Sequence, residues 1–181
     1  MLTVERLTNP ATPITVGEAK EHIRVSHSDD DNSIATMLRA ATRELEDHAA
    51  LAVVTQEIRA TFDPPPLSSS IPLPVGPVLA GAEVAVTVDG EPFTAFALIP
   101  GKRPSIRLTD LEPIYGTMVV TYSAGFGANR ASIPDDIVVA ILDQVAATYD
   151  MRGMVEPRHI GLGGLSPHFA RIAARYRRVA I

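Results

Sequence analysis

The sequence contains no cysteine and no tryptophan. Without thiols it can form no disulfide, thiolate metal site or cysteine nucleophile, so a disulfide-stapled secreted domain is excluded. Residues 1–13 lack a basic segment followed by an apolar one, so we expect no signal peptide. No apolar run approaches the roughly 20 residues that a membrane-spanning helix needs. We therefore expect a soluble protein with no membrane partner.

Charge is unevenly divided along the chain, although the net charge is only −5. Residues 1–52 hold nine acidic and five basic side chains, whereas residues 151–181 hold six arginines and one glutamate. An acidic front and a basic tail favour contact with a charged partner, which could be nucleic acid, another protein or a neighbouring copy. Nucleic acid fits least well, because the otherwise acidic chain would repel a phosphate backbone.

Both ends of the chain carry helical patterns. Residues 15–18, T-V-G-E, form a capping box and predict a short helix that ends near Val25. Residues 30–50 repeat apolar side chains in steps of three and four, which predicts a second, longer helix. A proline followed by two acids in residues 134–136 indicates the start of a third helix. A last helix begins at Ser166.

The middle of the chain carries strand patterns. Asp89-Gly90 is a strong hairpin signal between two short alternating runs. The proline-rich residues 63–77 predict an extended loop with at most one short edge strand. The other predicted strands are residues 53–62, 83–88, 93–99, 105–108 and 118–123.

The order of helices, strands and helices predicts an α+β fold. We expect a mainly helical frame with a small antiparallel β insertion between the second and third helices. The predicted segments are N-terminal helices over residues 1–52, the β insertion over 53–125, the third helix over 126–152, and a mobile arm with a C-terminal docking helix over 153–181.

Three consecutive aspartates, Asp29, Asp30 and Asp31, stand where the second helix begins. A calcium loop needs alternating oxygen ligands and a glycine at its sixth position, and neither is present. Capping explains the acids better: one of Ser28, Asp29 and Asp30 would accept amide hydrogen bonds, and the others would favour the positive end of the helix. The sequence therefore predicts no metal here.

Catalytic patterns are equally weak. Residues 123–127 contain a serine and two glycines but not the G-x-S-x-G order, and the glycines at 161–164 lack the preceding strand and following G-K-[ST] of a phosphate loop. None of the histidines has a partner at zinc-ligand spacing; they are His22, His27, His48, His159 and His168. We therefore predict no enzyme, no metal and no cofactor.

The basic C-terminal helix is the most distinctive feature. It is either a solvated amphipathic helix or a docking element, because aromatic and aliphatic side chains beside arginines are typical of interface cores. The predicted docking residues are Phe169, Ile172 and Tyr176 on the apolar side, with Arg171, Arg175, Arg177 and Arg178.

Four stretches in order resemble one protein family. Residues 13–34, P-I-T-V-G-E-A-K-E-H-I-R-V-S-H-S-D-D-D-N-S-I, are similar to the opening of head–tail connector, or adaptor, proteins of long-tailed bacteriophages and phage-like gene transfer agents. A-L-A-V-V-T-Q at 50–56 resembles the family's exit into its first strand. V-V-T-Y-S-A-G-F-G at 119–127, followed by I-P-D-D-I, resembles its last strand and return to helix. S-P-H-F-A-R-I-A-A-R-Y-R at 166–177 resembles its terminal helix.

The resemblance implies a structural protein without catalytic residues. Such adaptors form a dodecameric ring beneath the portal, extend the DNA channel and join the capsid to the tail. The implied partners are other copies, the portal protein, the next neck or tail protein (a stopper or tail terminator) and double-stranded DNA that passes without sequence recognition. The implied location is the neck of a virion or phage-like particle, after assembly in the host cytoplasm. Many members are shorter and all-helical, so the partner of residues 53–125 is open.

Two other functions fit the residues less well. The first is a small regulatory or ligand-binding module with an inserted β domain, and the second is a hydrolase with an unrecognised site. A size measurement of the purified protein would separate a ring from both.

Overall fold

The computed structural model describes residues 1–110, 112–152 and 164–177. Within them the chain forms four α-helices and eight strands, with 35% of residues helical and 25% in strands. These elements form two compact units. One unit comprises Met1–Ala11 and Val54–Ala128, and the other comprises Thr12–Val53 and Asn129–Ile181.

The first unit holds two antiparallel sheets. The larger has the order β1-β2-β8-β4-β5 and the smaller the order β3-β7-β6. The strands are β1 (Leu2–Arg6), β2 (Gln56–Phe62), β3 (Ser70–Pro72), β4 (Val84–Val88), β5 (Glu91–Pro92), β6 (Phe96–Ile99), β7 (Ser105–Leu108) and β8 (Met118–Ala124).

The larger sheet buries one face, as its alternating sequence requires. In β2, Ile58, Ala60 and Phe62 are buried while Glu57 and Arg59 are exposed. Their antiparallel partners on β8 are Tyr122, Val120 and Met118, which are also buried. The Tyr122 hydroxyl accepts from the Val75 amide at 3.0 Å, so the one polar atom of this buried ring has a partner.

The second unit consists of helices. They are α1 (Val16–Ile23), α2 (Asp31–Ala49), α3 (Asp135–Met151) and α4 (Pro167–Tyr176), with a short 3₁₀ turn at Arg130–Ser132. Helix α2 packs against α1, α3 and α4, and α3 also packs against α1 and α4. The shared core includes Ile34, Leu38 and Leu45 of α2 with Ile137 and Ile141 of α3, all nearly inaccessible to solvent.

The predicted fold class is wrong. The described chain has two antiparallel sheets and is not a mainly helical frame with a small β insertion. The error has a physical source in β1, which pairs with β2 across a long sequence separation and joins the start of the chain to the sheet. Because β1 has only five residues, all but one exposed, its sequence carries little periodic signal.

Local predictions near helix ends fare better. Thr15 and Glu18 form the predicted capping box: the Thr15 hydroxyl accepts from the Glu18 amide at 3.1 Å, and a Glu18 carboxylate oxygen accepts from the Thr15 amide at 2.7 Å. The Thr15 amide and hydroxyl, as donors, hold the pKa of Glu18 below its usual value. Asp89-Gly90 also connects β4 to β5 as a hairpin.

In the described part of the chain, no helix has the length and apolar character needed to cross a bilayer.

Candidate interface at the C-terminal helix

Helix α4 begins as its sequence predicts. The Ser166 hydroxyl accepts from the Phe169 amide at 3.1 Å, and Pro167 occupies the first turn, where its missing N–H costs nothing. The apolar side chains of the helix then fall on one stripe.

This stripe packs within the helical unit. Phe169 is fully buried, and Ile172 and Ala173 are 1% and 5% exposed. Helix α4 contacts α2 and α3, which supply the surrounding apolar surface. Complete burial of a Phe or Ile side chain stabilises a fold by roughly 1.5–3 kcal/mol. Helix α4 is therefore an integral part of this unit's core.

Polar side chains of α3 hold the start of α4 in place. The buried Gln144 accepts from the Ser166 amide at 2.8 Å and donates to the Gly164 carbonyl at 3.1 Å. One amide group thus satisfies two backbone groups in the segment that enters the helix. Because both ends of the amide are used, Gln144 fixes where α4 begins relative to α3.

Asp143, next to Gln144, joins two histidines. Its Oδ2 lies 2.5 Å from Nδ1 of His168 in α4, and its Oδ1 lies 2.9 Å from Nε2 of His22 in α1. An ionised carboxylate can only accept, so each histidine donates from the nitrogen that faces it. These bonds connect α1, α3 and α4 through one side chain.

A second aspartate holds the far end of α4. The Tyr176 hydroxyl donates to Asp136, with distances of 3.0 and 3.2 Å to its two oxygens, and Arg175 donates to the same carboxylate at 3.1 Å. Burial, followed by the hydrogen bond to Asp136, raises the pKa of Tyr176. Helix α4 is therefore held along α3 by Asp136, Asp143 and Gln144.

The predicted docking residues divide into three groups. Phe169 and Ile172 are buried against their own unit, and Tyr176 is half-buried on Asp136. Arg175 is paired with Asp136 but remains mostly exposed. Arg171 and Arg177 are exposed, and within the described ranges neither side chain has an ion-pair partner. Arg178 and residues 153–163 of the predicted arm, which spans 153–165, lie outside the described residues.

The aspartates that begin α2 also have a different role from the predicted one. Asp30 occupies the N-cap position, but its carboxylate makes no capping hydrogen bond. It accepts instead from the Tyr149 hydroxyl at 2.6 Å and pairs with Arg152 at 3.2 Å. The Arg152 guanidinium lies 4.4 Å from the centre of the Tyr149 ring. Asp31 pairs with Lys20 at 2.7 Å. The prediction that the side chain of Ser28, Asp29 or Asp30 caps this helix is therefore wrong at the N-cap position, where distant partners compete for the Asp30 carboxylate.

Stability should depend on Asp30 in a pH-dependent way. The Tyr149 hydroxyl and, more weakly, Arg152 lower the pKa of Asp30, so its contribution is present above the unfolded-state pKa, about 3.9, and disappears as pH falls through the folded-state value. We expect Asp30→Asn to lower the melting temperature at pH 7 and to have a smaller effect at about pH 3, below the unfolded-state pKa.

Asp29→Asn is the matched control for this measurement. Asp29 is exposed and has no partner among the described residues, so its replacement should leave the melting temperature nearly unchanged at either pH. An Asp30→Asn effect of equal size at both pH values would contradict the assignment.

No metal centre is evident in residues 1–110, 112–152 and 164–177. Within these ranges no group of three or more histidine, aspartate and glutamate side chains has the arrangement to hold an ion. His22 and His168 instead each bond to Asp143.

Comparisons with known proteins identify where similar chains occur. No family model matches the sequence, and no curated protein matches it. Among solved structures, a chain from the virion of a native gene transfer agent particle matches with 25% identity and a TM-score of 0.76. A chain from the neck of the empty particle, computed with C6 symmetry, matches with 26% identity and a TM-score of 0.76. A chain from the neck of the native particle, computed with C12 symmetry, matches with 25% identity and a TM-score of 0.71.

These matches span whole chains. Each covers 99% of this protein and 97% of the other chain. The likeness therefore includes both compact units and helix α4. It supports a structural component of a phage-like particle neck.

Proposed function

We propose that this protein is the head–tail adaptor of a phage-like particle, a ring of copies that lies beneath the portal and joins the capsid to the tail. The observation that carries the proposal is the match to neck chains along the full length of both proteins. The four sequence stretches that resemble adaptors, residues 13–34, 50–56, 119–127 and 166–177, support the same role independently.

A ring of twelve copies would match the symmetry of the similar neck. One of the neck structures was computed with C12 symmetry. A closed ring of identical chains needs two different complementary surfaces on each copy, joined head to tail. The ring would enclose the channel for double-stranded DNA. A net charge of −5 would disfavour tight binding to phosphates and allow the DNA to slide.

We propose that the exposed side of α4 contacts the portal. Because Phe169 and Ile172 are buried in their own unit, the surface available to a partner is the opposite side, with Arg171, Arg175 and Arg177. Arginine is favoured at interfaces with carboxylates, since its planar group can donate two parallel hydrogen bonds. The next neck or tail protein would bind elsewhere on the ring, after assembly in the host cytoplasm.

Charge reversal on α4 tests this contact. We expect Arg171→Glu with Arg177→Glu to leave the protein folded, because both side chains are exposed. The variant should reduce head–tail joining by at least about tenfold, since like charges that meet at an interface cost several kcal/mol and every copy carries the loss. Particles from cells that carry only the variant would be counted by electron microscopy as tailed or tailless.

The control makes the same change in charge elsewhere. Arg39→Glu with Arg43→Glu alters two exposed arginines of α2 and should leave joining unchanged. Normal joining with the α4 variant would exclude portal contact through this face. Tailless heads with both variants would point to a general effect of charge. Deletion of residues 166–181 is a poorer test, because it would also uncover the apolar surface on which Phe169 lies.

A further inference from the structure

Strand β1 is an edge strand of the larger sheet, and two of its apolar side chains are exposed. This strand lies at one end of the larger sheet, and among the described residues it pairs with β2 on one side only, so no described strand pairs with the backbone groups of its other side. Leu2 and Val4 are 49% and 41% exposed. Their partners on β2, Phe62 and Ala60, are 5% and 0% exposed.

Leu2 and Val4 belong to the core face of the sheet. Residues directly opposite each other in an antiparallel pair lie on the same face, so these two side chains continue the row of Phe62 and Ala60. The core face therefore extends to β1 without cover from the described chain. A strand added at this edge would satisfy the backbone and bury both side chains.

A second free edge lies on the smaller sheet. Strand β6, F-A-L-I at Phe96–Ile99, pairs with β7 only. It contains no charge and no proline, which are two common means by which edge strands avoid pairing with other chains. Phe96 and Leu98 share the face of the buried Ile106, and Ala97 and Ile99 are exposed on the other face.

The charges beside the two edges have opposite sign. On the outer face near β1, Glu5 and Glu57 accompany Arg59, which pairs with Glu5 at 3.6 Å. On the outer face next to β6, Arg107 is exposed opposite Ala97 and has no ion-pair partner in the described part of the chain. The turn after β6 adds the exposed side chains of Lys102 and Arg103. On its outer face the first edge is therefore net acidic, with Arg6 on its other face, and the second edge is basic.

We propose that β1 of one copy adds to β6 of the next copy, so that neighbouring subunits share one continuous sheet. This inference rests on the proposed ring and names its contact surface. One chain carries both edges, and they differ in sequence and charge, as a head-to-tail contact requires. In the shared sheet Leu2 and Val4 lie on the face of Phe96 and Leu98, and Glu5 lies on the face of Arg107.

Introduced cysteines can test the contact because the chain has none of its own. Thr3 of β1 and Ala97 of β6 are both exposed on outer faces. Thr3→Cys protein, carrying an affinity tag, would be mixed with untagged Ala97→Cys protein, assembled, and treated with a short bifunctional thiol reagent. We expect a cross-linked pair that contains one chain of each kind. A chain carrying both cysteines should give a ladder of multimers.

Ala85→Cys provides the matched control. Ala85 is exposed on the outer face of the larger sheet, but β4 lies between β8 and β5 and is not at the free edge of β1. Mixtures of Ala85→Cys with Ala97→Cys should give several-fold less of the mixed product. Val4→Glu supplies a second measurement. It should weaken self-association by about tenfold or more, because it buries an unpaired charge, while circular dichroism stays unchanged.

The possible results of these experiments distinguish the proposed contact between β1 and β6 from the proposed ring. If rings form, as judged by mass and electron microscopy, but the Thr3 and Ala97 cysteines cross-link no more than the control, the contact is wrong and the adaptor role stands. If the Thr3 cysteine cross-links to a different particle protein in assembled necks, the edge serves that partner and the inference is overturned. A chain that never self-associates would overturn both proposals.

Discussion

Replacing Phe169 with alanine should lower the free energy of unfolding of the helical unit by about 3–5 kcal/mol, the usual cost of removing a large aromatic side chain from a core. The ring is fully buried, and α4 has only ten residues, too few to remain helical without packing. We expect α4 to detach. Urea denaturation followed by circular dichroism, with amide hydrogen exchange to locate the change, would measure both effects.

Arg171→Ala is the control on the exposed side of the same helix. Its side chain has no ion-pair partner within the described residues, so the substitution should change stability by less than about 0.5 kcal/mol. If Phe169→Ala costs no more than Arg171→Ala, α4 is not packed on its own unit in solution. Its apolar stripe would then be available to a partner.

Replacing Gly125 with alanine should destabilise the sheet unit by about 2–4 kcal/mol. Gly125 has a φ of +146°. An added Cβ would lie 2.4 Å from backbone atoms of Thr55 and 2.7 Å from the Val54 carbonyl carbon. Backbone atoms cannot move aside as a flexible side chain can. The Gly125 amide also donates to the Pro77 carbonyl at 2.8 Å, so the strain would reach that segment.

Gly81→Ala separates backbone strain from steric contact. Gly81 also has a positive φ, +80°, but an added Cβ would meet no atom within 4 Å. This variant should therefore cost only about 1–2 kcal/mol, the penalty for a left-handed conformation. Thermal melting of both variants would give the comparison. Equal losses would show that the contact of residue 125 with Thr55 contributes little.

Short-range features were predictable from the sequence because they depend on neighbouring residues. The capping box at Thr15 and Glu18, the cap at Ser166 and the turn at Asp89-Gly90 each need only a few residues in the right order. Strand β8 was predicted within one residue because its alternation is regular, and residues 105–108 were predicted correctly as a strand.

Long-range features were not predictable in the same way. The local sequence predicts that Asp30 caps a helix, and no local pattern indicates that its carboxylate accepts a hydrogen bond from Tyr149. Strand β1 becomes recognisable only when Ile58 and Phe62 are aligned with it. The amphipathic stripe of α4 was predicted correctly, but such a stripe looks the same whether it packs on its own chain or on another protein. Only burial of Phe169 and Ile172 shows which surface they contact here.

The interleaving of the two units has a consequence for synthesis on the ribosome. The chain begins in the sheet unit, enters the helical unit at Thr12, returns to the sheet unit at Val54 and leaves it again after Ala128. Strand β8 is the third strand of the larger sheet, between β2 and β4, so β2 has no inner neighbour until Met118–Ala124 has been made. Helix α2 likewise lacks its packing partners α3 and α4 until those later helices have been made.

Neither unit can therefore complete its core early in translation, and helix α2 and strand β2 must remain exposed while later residues are added. In a chain with sequential domains, the first domain folds before the second emerges. Here neither unit can close until a later segment has been made, β8 for the sheet unit and α3 and α4 for the helical unit, because the closing contacts join distant residues and the entropy of loop closure must be overcome first. A nascent chain with uncovered apolar strands and helices is the form of this protein that most needs protection from aggregation.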